Sequence, residues 1–399
     1  MAKPIELVMI GSGAVGLSVL EMLPEYRDRD KVRVAAIADS RGSISSNNDS
    51  PGGISDDALL QIVDHKSAGH RLAQFPTGQT LGYSPGPFTS ASLDAVVDSS
   101  RDTAIVDVTA SEDTLPLIHH AVVDEGAYAA AANKHPFVQD TVRGVEMAYD
   151  LIKLAFEGRV ALRATVGANI GISTRVIHTL TTEHPSEFRA EGCVSGTLAY
   201  ACNQLPEGQA FSEIARAANE EGYTEPTPWT DFSGEDVRNK MIIIGELVAY
   251  HFGVNPGDVM VNHRSFIEGA FSSPADYQAV ASQLSSLGKD DFVEAIREHD
   301  AVLGDYFGNV SEGHTFRYCG TVSYNRAEHT VEVDVGLEQV PVDGPLGMLE
   351  GTTNLLRIQL DEPGKELIMQ GPGAGPETTA RAVLGDVSQI VRHHQNNYR

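Results

Sequence analysis

Residues 6–16 read Glu-Leu-Val-Met-Ile-Gly-Ser-Gly-Ala-Val-Gly, an apolar strand that runs directly into a glycine-spaced turn and then a helical pattern over residues 17–23. Few arrangements accommodate that order. Gly11 permits a tight turn, Gly13 lets the backbone approach a pyrophosphate, and Gly16 allows the helix to pack closely on the strand. A second apolar strand over residues 32–38 ends at Asp39, at about the distance expected for an acid that contacts a ribose. The pattern implies a nucleotide-binding half with Gly11, Gly13, Ala14, Val15 and Gly16 around the phosphates. A glycine-rich turn without a ligand is the competing reading.

Over the first 160 or so residues, strand and helix patterns alternate, as in a doubly wound parallel α/β sheet. A helix is expected at 56–66, strands at 103–109 and 127–132, a helix through 118–123 and another ending near 156. A strand over 160–166 should then run into a sharp turn at 167–171. Beyond it the rhythm changes. Longer helices (174–182, 211–219, 236–252) mix with alternating strands (321–324, 331–335), which predicts an α+β second domain built on an open mixed sheet. Gly371-Pro-Gly-Ala-Gly375 then opens a helix at 377–393, so the chain is expected to return to the nucleotide domain and bring Gly375 near the cofactor. The expected division is 1–162 and 163–370, with 371–399 packing back onto the first part.

The chain carries 29 basic and 55 acidic residues, a net charge of −26. That excess leaves no surplus of cations for phosphate backbones and argues against nucleic-acid binding. Eight of the basic residues are lysine, and an acidic, lysine-poor surface suits a high-salt host. An acidic protein from an ordinary host is the competing explanation. No apolar run reaches the ~20 residues of a membrane span, and no signal peptide is recognisable at the start. Cys193, Cys202 and Cys319 lack metal-ligand spacing. They point to a reducing, cytoplasmic setting.

Chemistry-bearing residues concentrate in 222–240, where Glu225-Pro226 and Thr227-Pro228 block helix propagation and Trp229 is the only tryptophan. Ser233 reads as an N-cap, and Asp236 and Lys240, four apart, fall on one helix face. An exposed ion pair behind a turn would look the same. In α/β sheets ligands bind beyond the carboxyl ends of parallel strands, which singles out Thr109-Ala110 and Asn133-Lys134. Ser195-Gly196-Thr197 reads as a strand ending at a helix N-terminus, where free N–H groups could take a carboxylate.

These segments, in order, resemble homoserine dehydrogenase over nearly the whole chain: Gly11-x-Gly13-x-x-Gly16, Ala132-Asn133-Lys134, Thr165-Val166-Gly167, Ser195-Gly196-Thr197, Gly222-Tyr-Thr-Glu-Pro, Asp231-x-x-Gly234-x-Asp236-x-x-x-Lys240, and Gly373-Ala-Gly375 with Thr379-Ala380. The 222–240 block is the specific one. The resemblance implies a Rossmann domain with a substrate and dimerisation domain, and a homodimer. It also implies NAD(P)-dependent interconversion of L-homoserine and L-aspartate 4-semialdehyde, on the way to threonine and methionine. Neither an aspartokinase nor a regulatory ACT domain is expected.

By resemblance, Asp236 and Lys240 would be the catalytic pair, with Lys134 as a substrate and proton-relay lysine. Glu225 and Asp231 would take the substrate ammonium, and Gly196, Thr197 and Tyr223 would complete the pocket. Gly11, Gly13, Ala14, Val15, Gly16, Asp39, Arg41, Thr109, Ala110, Asn133 and Gly375 would surround the cofactor. The carbonyls of Val166, Ala168 and Ile170 would face a monovalent cation. One stretch departs from the family: Arg163, Asn169 and Gly171 stand where it usually has Glu, Gly and Pro. That change puts the cation geometry in question and admits a related dehydrogenase with another small amino-acid or hydroxy-acid substrate. A nucleotide-binding sensor without catalysis is a third reading. Asp39 favours NAD by accepting a ribose 2′-OH, while Arg41 could bind the 2′-phosphate of NADP; the balance is toward NAD.

Overall fold

The computed structural model describes residues 3–46, 53–78, 80–96, 102–168, 170–360, 365–373 and 375–397. It forms two units, one of residues 1–178 with 375–399, the other of residues 179–374. The chain leaves the first unit within the helix Ile172–Glu183, later than the boundary expected at 162/163.

In the first unit, β1 (Ile5–Ile10) is buried along its whole length, as a strand covered on both faces must be. With β2 (Val32–Asp39), β3 (Gly42–Ser46), β4 (Leu81–Pro85), β5 (Thr103–Asp107), β6 (Tyr128–Ala131) and β7 (Val160–Ala161) it forms a seven-stranded sheet in the order β4-β3-β2-β1-β5-β6-β7. The run β2-β1-β5-β6-β7 is parallel, in line with the expected doubly wound α/β class. β1 pairs with β2 on one side and β5 on the other, so the strand order reverses there and opens a crevice at the carboxyl ends. At one edge β3 and β4 are antiparallel, in a stretch whose polar composition hid both strands. Only Ile44 of β3 supplies a large apolar side chain to the core.

The strand expected over 160–166 is only two residues long. Past it, the N–H groups of Arg163 and Ala164 donate to the Asp386 carboxylate at 2.9 and 3.0 Å instead of to a neighbouring strand. Asp386 lies on the helix Pro376–Asn397, which belongs to this unit. Tyr26 Oη donates to the Leu384 carbonyl at 3.0 Å and Ser388 Oγ to Asp28 at 2.9 Å, fastening the same helix.

The second unit is built on a six-stranded sheet. It comprises β8 (Arg189–Cys193), β9 (Val259–His263), β10 (His314–Asn325), β11 (Thr330–Pro341), β12 (Thr353–Gln359) and β13 (Glu366–Pro372), in the order β13-β12-β8-β10-β11-β9. All pairs are antiparallel except β9 with β11, which makes the sheet mixed. The helix Glu235–Phe252 packs closely on it. A Cβ built on Gly320 would lie 2.3 Å from Met241 Cγ, and one on Gly245 would lie 2.8 Å from Val333 Cγ2. Stacked and edge-on contacts among Phe211, Phe232, Phe266 and Phe292 anchor the segment before that helix. No described helix is long and apolar enough to cross a membrane.

Candidate active site

The glycine turn of the first unit is tight where the fingerprint requires it. Gly11 has φ +110°, which favours glycine, and its N–H donates to Ala38 at 2.8 Å. A Cβ on Gly16 would lie 2.2 Å from the Gly11 carbonyl oxygen, so the helix approaches the turn as only glycine permits. Gly13 faces open space and caps the helix Ala14–Met22 without a side-chain hydrogen bond. The first N–H groups of that helix, including those of Ala14 and Val15, are therefore available to a diphosphate, and the residues present fit a dinucleotide.

Beside this turn is a cavity of about 330 Å³ lined by Ser12, Gly13, Asp39, Ser40, Arg41, Lys66 and Arg71. The Asp39 carboxylate already accepts from the N–H groups of Arg41 (2.9 Å) and Gly42 (3.2 Å), and Lys66 Nζ lies 3.7 Å away. Lys66 and Arg71 bring two further cations to this cavity, from a helix and a loop distant in sequence from Asp39.

At the carboxyl end of β5, Asp107 is 1% exposed and accepts from Thr109 N–H (3.0 Å), Thr109 Oγ1 (2.8 Å), Thr114 Oγ1 (2.7 Å) and Asn133 Nδ2 (3.0 Å). Asn133 also reaches the Ser111 carbonyl at 2.8 Å and accepts from His135 N–H at 3.1 Å. Asn133 is thus a buried tie between two strand ends rather than an open contact. It fixes the turn of Thr109 and Ala110 and the backbone that presents Lys134. Asp107 was missed; its signal was a carboxylate closing an apolar strand. Gly375 has φ +126° and starts the final helix, with Thr379 N–H donating to its carbonyl at 3.0 Å.

In the turn after β7, Gly171 N–H donates to Gly167 O at 2.7 Å and Ile172 N–H to Val166 O at 3.2 Å. Asn169 lies outside the described residues, as does Ala374 of the Gly373–Gly375 segment. In the turn expected to offer the carbonyls of Val166, Ala168 and Ile170 to a cation, the Arg163 side chain lies beside Gly171, where a Cβ would stand 3.3 Å from Nη1. The buried Asp386 carboxylate lies beside the start of this turn, accepting from the Arg163 and Ala164 N–H groups. Among the described residues no group of three or more His, Cys, Asp and Glu could hold a metal ion.

In the second unit, β8 ends at Cys193 and Ser195 caps the helix Gly196–Gln204, its Oγ accepting from Leu198 N–H at 3.3 Å. Thr197 Oγ1 lies 2.6 Å from the Tyr223 carbonyl and 3.1 Å from Asp231 Oδ1, while Asp231 Oδ2 accepts from Glu225 N–H at 2.9 Å. Thr197, Tyr223, Glu225 and Asp231 therefore converge. Glu225 is exposed, but both Asp231 oxygens are already engaged. Burial pushes the Asp231 carboxyl up to about 6, against the lowering effect of those hydrogen bonds, and neighbouring Glu225 and Asp236 raise it further.

Asp236 and Lys240 share a helix face as expected, and Lys240 Nζ sits 2.7 Å from Asp236 Oδ2. It also donates to the Val194 carbonyl at 2.7 Å, and the lysine is 9% exposed. That contact ties the pair to the backbone just past β8. The expected Ser233 cap is corrected. Gly234, with φ +77°, is the N-cap of Glu235–Phe252, and Ser233 ends a short preceding helix, Trp229–Phe232. Pro228 tolerates that helix start because its missing N–H would have been unpaired there. A Cβ on Gly234 would fall 1.7 Å from Tyr318 Oη, which donates to the Arg264 carbonyl at 2.6 Å.

The sequence profile described as homoserine dehydrogenase matches residues 176–388. A homoserine dehydrogenase of Saccharomyces cerevisiae is 26% identical over 395 residues, covering 98% of this chain and 99% of the yeast protein. Among solved structures, a Candida auris protein of unknown function superposes with a TM-score of 0.73 at 23% identity, covering 98% of this chain and 99% of its own. A hyperthermophilic archaeal homoserine dehydrogenase in complex with NADPH gives 0.66 at 20% identity, covering 97% of each chain. With the profile spanning more than half the chain and the full-length yeast match, this chain belongs to the homoserine dehydrogenase family.

Proposed function

We propose that Lys240, held by Asp236, is the proton donor and acceptor as this chain interconverts L-homoserine and L-aspartate 4-semialdehyde. The observation that carries the assignment is the pair of 2.7 Å contacts from Lys240 Nζ to Asp236 and to the Val194 carbonyl. They use two of the three N–H bonds of an ammonium and leave the third for substrate. Bound NAD(P)H supplies the hydride that reduces the aldehyde carbon. Lys240 then stabilises the nascent alkoxide and passes it a proton; in oxidation it takes the hydroxyl proton.

The remaining roles follow from what each group has free. Glu225, exposed on the loop, pairs with the substrate ammonium by a charge-assisted hydrogen bond. Asp231 acts mainly by fixing Glu225 and Thr197. The N–H groups of Gly196 and Thr197, at a helix start, receive the substrate carboxylate, and Tyr223 closes the pocket. Lys134 serves as a substrate and proton-relay lysine of the first unit.

The cofactor is NADP(H) in place of the NAD expected from Asp39 alone. Arg41, Lys66 and Arg71 line one cavity beside an Asp39 already engaged by backbone N–H groups, an arrangement suited to a 2′-phosphate. The archaeal relative solved with NADPH agrees with this. A homodimer follows from the family resemblance and is read directly by light scattering. Three free cysteines agree with a reducing, cytoplasmic setting. The test is nicotinamide absorbance with L-homoserine beside a panel of other hydroxy acids. Homoserine should be the preferred substrate; no turnover with cofactor binding intact refutes the proposal.

A further inference from the structure

We propose that Cys193 and Cys319 form a redox switch on the proposed catalytic site, closing to a cross-strand disulfide in the presence of hydrogen peroxide and slowing turnover. Their sulfur atoms lie 3.6 Å apart, and neither is bonded to another cysteine. The sheet brings them together from 126 positions apart. β8 and β10 run antiparallel with Gly192 opposite Gly320, and one step further in the same register Cys193 stands opposite Cys319. Directly opposed residues of antiparallel strands are about 4.5–5.5 Å apart at Cα, within the range a disulfide spans. The third cysteine, Cys202, lies on the helix Gly196–Gln204 and on neither strand.

A Cβ on Gly320 would meet Met241 of the helix Glu235–Phe252, so alternation turns Cys319 to the opposite face of the sheet. There a cavity of about 350 Å³ is lined by Cys319 with Arg189, Glu191, Thr321 and Ser323. Cys319 is 6% exposed and Cys193 2%, so a small oxidant meets Cys319 first. The Cys319 thiolate attacks one peroxide oxygen, the O–O bond breaks, and the leaving hydroxide takes a proton to become water, which leaves a sulfenic acid. The Cys193 sulfur then attacks the Cys319 sulfur, and its thiol proton departs with the sulfenic hydroxyl as a second water. Two thiols and one hydrogen peroxide thus give one disulfide and two waters. The hydrogen bond with Cys193 and burial hold the Cys319 thiol well above its ordinary pKa. Little thiolate is present near neutrality, so the pair answers sustained oxidant and otherwise stays reduced. Each cysteine adjoins a residue that sets the helix bearing Lys240. Val194 follows Cys193 and its carbonyl accepts from Lys240; Tyr318 precedes Cys319 and fills the space beside Gly234. Drawing the sulfurs from 3.6 Å to about 2.05 Å pulls on both strand positions and misaligns the lysine.

The effect on turnover rests on the role proposed for Lys240; the chemistry of the pair does not. In the experiment the folded full-length protein is held with hydrogen peroxide, blocked with N-ethylmaleimide under denaturing conditions, and mapped by mass spectrometry without reduction. The expected result is a peptide linking Cys193 to Cys319, with Cys202 alkylated. The kcat on homoserine should fall about fivefold or more and return with dithiothreitol. C319S should keep its kcat through the same treatment, which separates the switch from methionine oxidation. Three alkylated cysteines, a sulfinic acid at Cys319 without a link, or a link to Cys202 overturns the proposal. A linked protein whose kcat on homoserine is unchanged overturns it too. If C319S does not fold, the wild-type map and the reversal by dithiothreitol decide. A protein that forms the link but does not turn over homoserine even when fully reduced refutes the reaction and leaves the redox pair standing.

Discussion

Lys240 Nζ lies 2.7 Å from Asp236 Oδ2, one helical turn earlier, with the lysine nearly buried and the aspartate half exposed. An i,i+4 pair on an open surface contributes a few tenths of a kcal/mol. This one also donates to a carbonyl at the end of β8, which orients the ammonium. Lys240→Ala should therefore lower kcat by about 10²–10⁴, the range of general acid–base catalysis. Cofactor affinity should stay nearly unchanged, since the nucleotide is held by the other unit. Steady-state kinetics with fluorescence titration of the cofactor check this, and a variant with near-normal kcat removes the lysine from the mechanism.

Asp231 sets a pH dependence. Its folded pKa of about 6 stands above the ordinary 3.8, so the native state holds a proton more tightly than the unfolded one. The associated stabilisation is fully present below the unfolded pKa and is lost as pH rises through about 6. Asp386 and Glu246, both pushed up to about 7 by burial, act in the same sense. Asp231→Asn should thus melt higher than wild type at pH 8 while raising the KM for homoserine, because the substrate ammonium then meets one carboxylate charge in place of two. Melting curves across pH 4–8 test it; a variant less stable than wild type at pH 8 would refute the assignment.

Much of this site could be read along the chain because its elements are local. The Gly11–Gly16 turn, the Asp236–Lys240 spacing and the helix start at Ser195-Gly196-Thr197 each depend on residues within one turn of helix or strand. What escaped depends on distant partners. The strand expected to 166 stops early because Asp386, 223 positions away, takes its N–H groups. The cap moved from Ser233 to Gly234 because Tyr318 occupies the space a side chain would need. Asp107 and the Lys66–Arg71 cations become visible only when separate strand and helix ends meet.

Gly234 combines a positive φ with a close neighbour, and Tyr318 is held by its hydrogen bond to Arg264 and its contact with Phe266. Gly234→Ala should cost about 2–4 kcal/mol, from φ strain and overpacking together. Because Gly234 starts the helix bearing Asp236 and Lys240, kcat should fall in the fraction that remains folded. Denaturant melts and active-site titration separate the two effects; a fully stable, fully active variant would show that the turn relaxes freely.

Arg41 and Lys66 give the cofactor preference a direct test. Removing both as alanines should cut kcat/KM for NADPH by about tenfold or more, as expected when charge-assisted hydrogen bonds of ~1.5–3 kcal/mol are lost, and leave NADH within a few-fold. Parallel assays with the two cofactors report the ratio. Equal losses with both would mean these cations serve the diphosphate or the fold rather than the 2′-phosphate.

The acidic surplus of the chain, −26, predicts a response to salt that the site does not. At 0.1 M ionic strength the Debye length is about 10 Å, so carboxylates spread over one surface still repel; at 1 M it is about 3 Å and the repulsion is largely gone. The folded state, which crowds those charges more than the unfolded chain does, gains from screening. The melting temperature should therefore climb as KCl is raised from 0.1 to 2 M, by several degrees, with kcat rising or holding. Sodium chloride should act equally, because screening depends on ionic strength and not on the identity of the cation. A flat melting profile would mean that the acidic residues are spaced or paired well enough to be harmless, and salt adaptation would be ruled out.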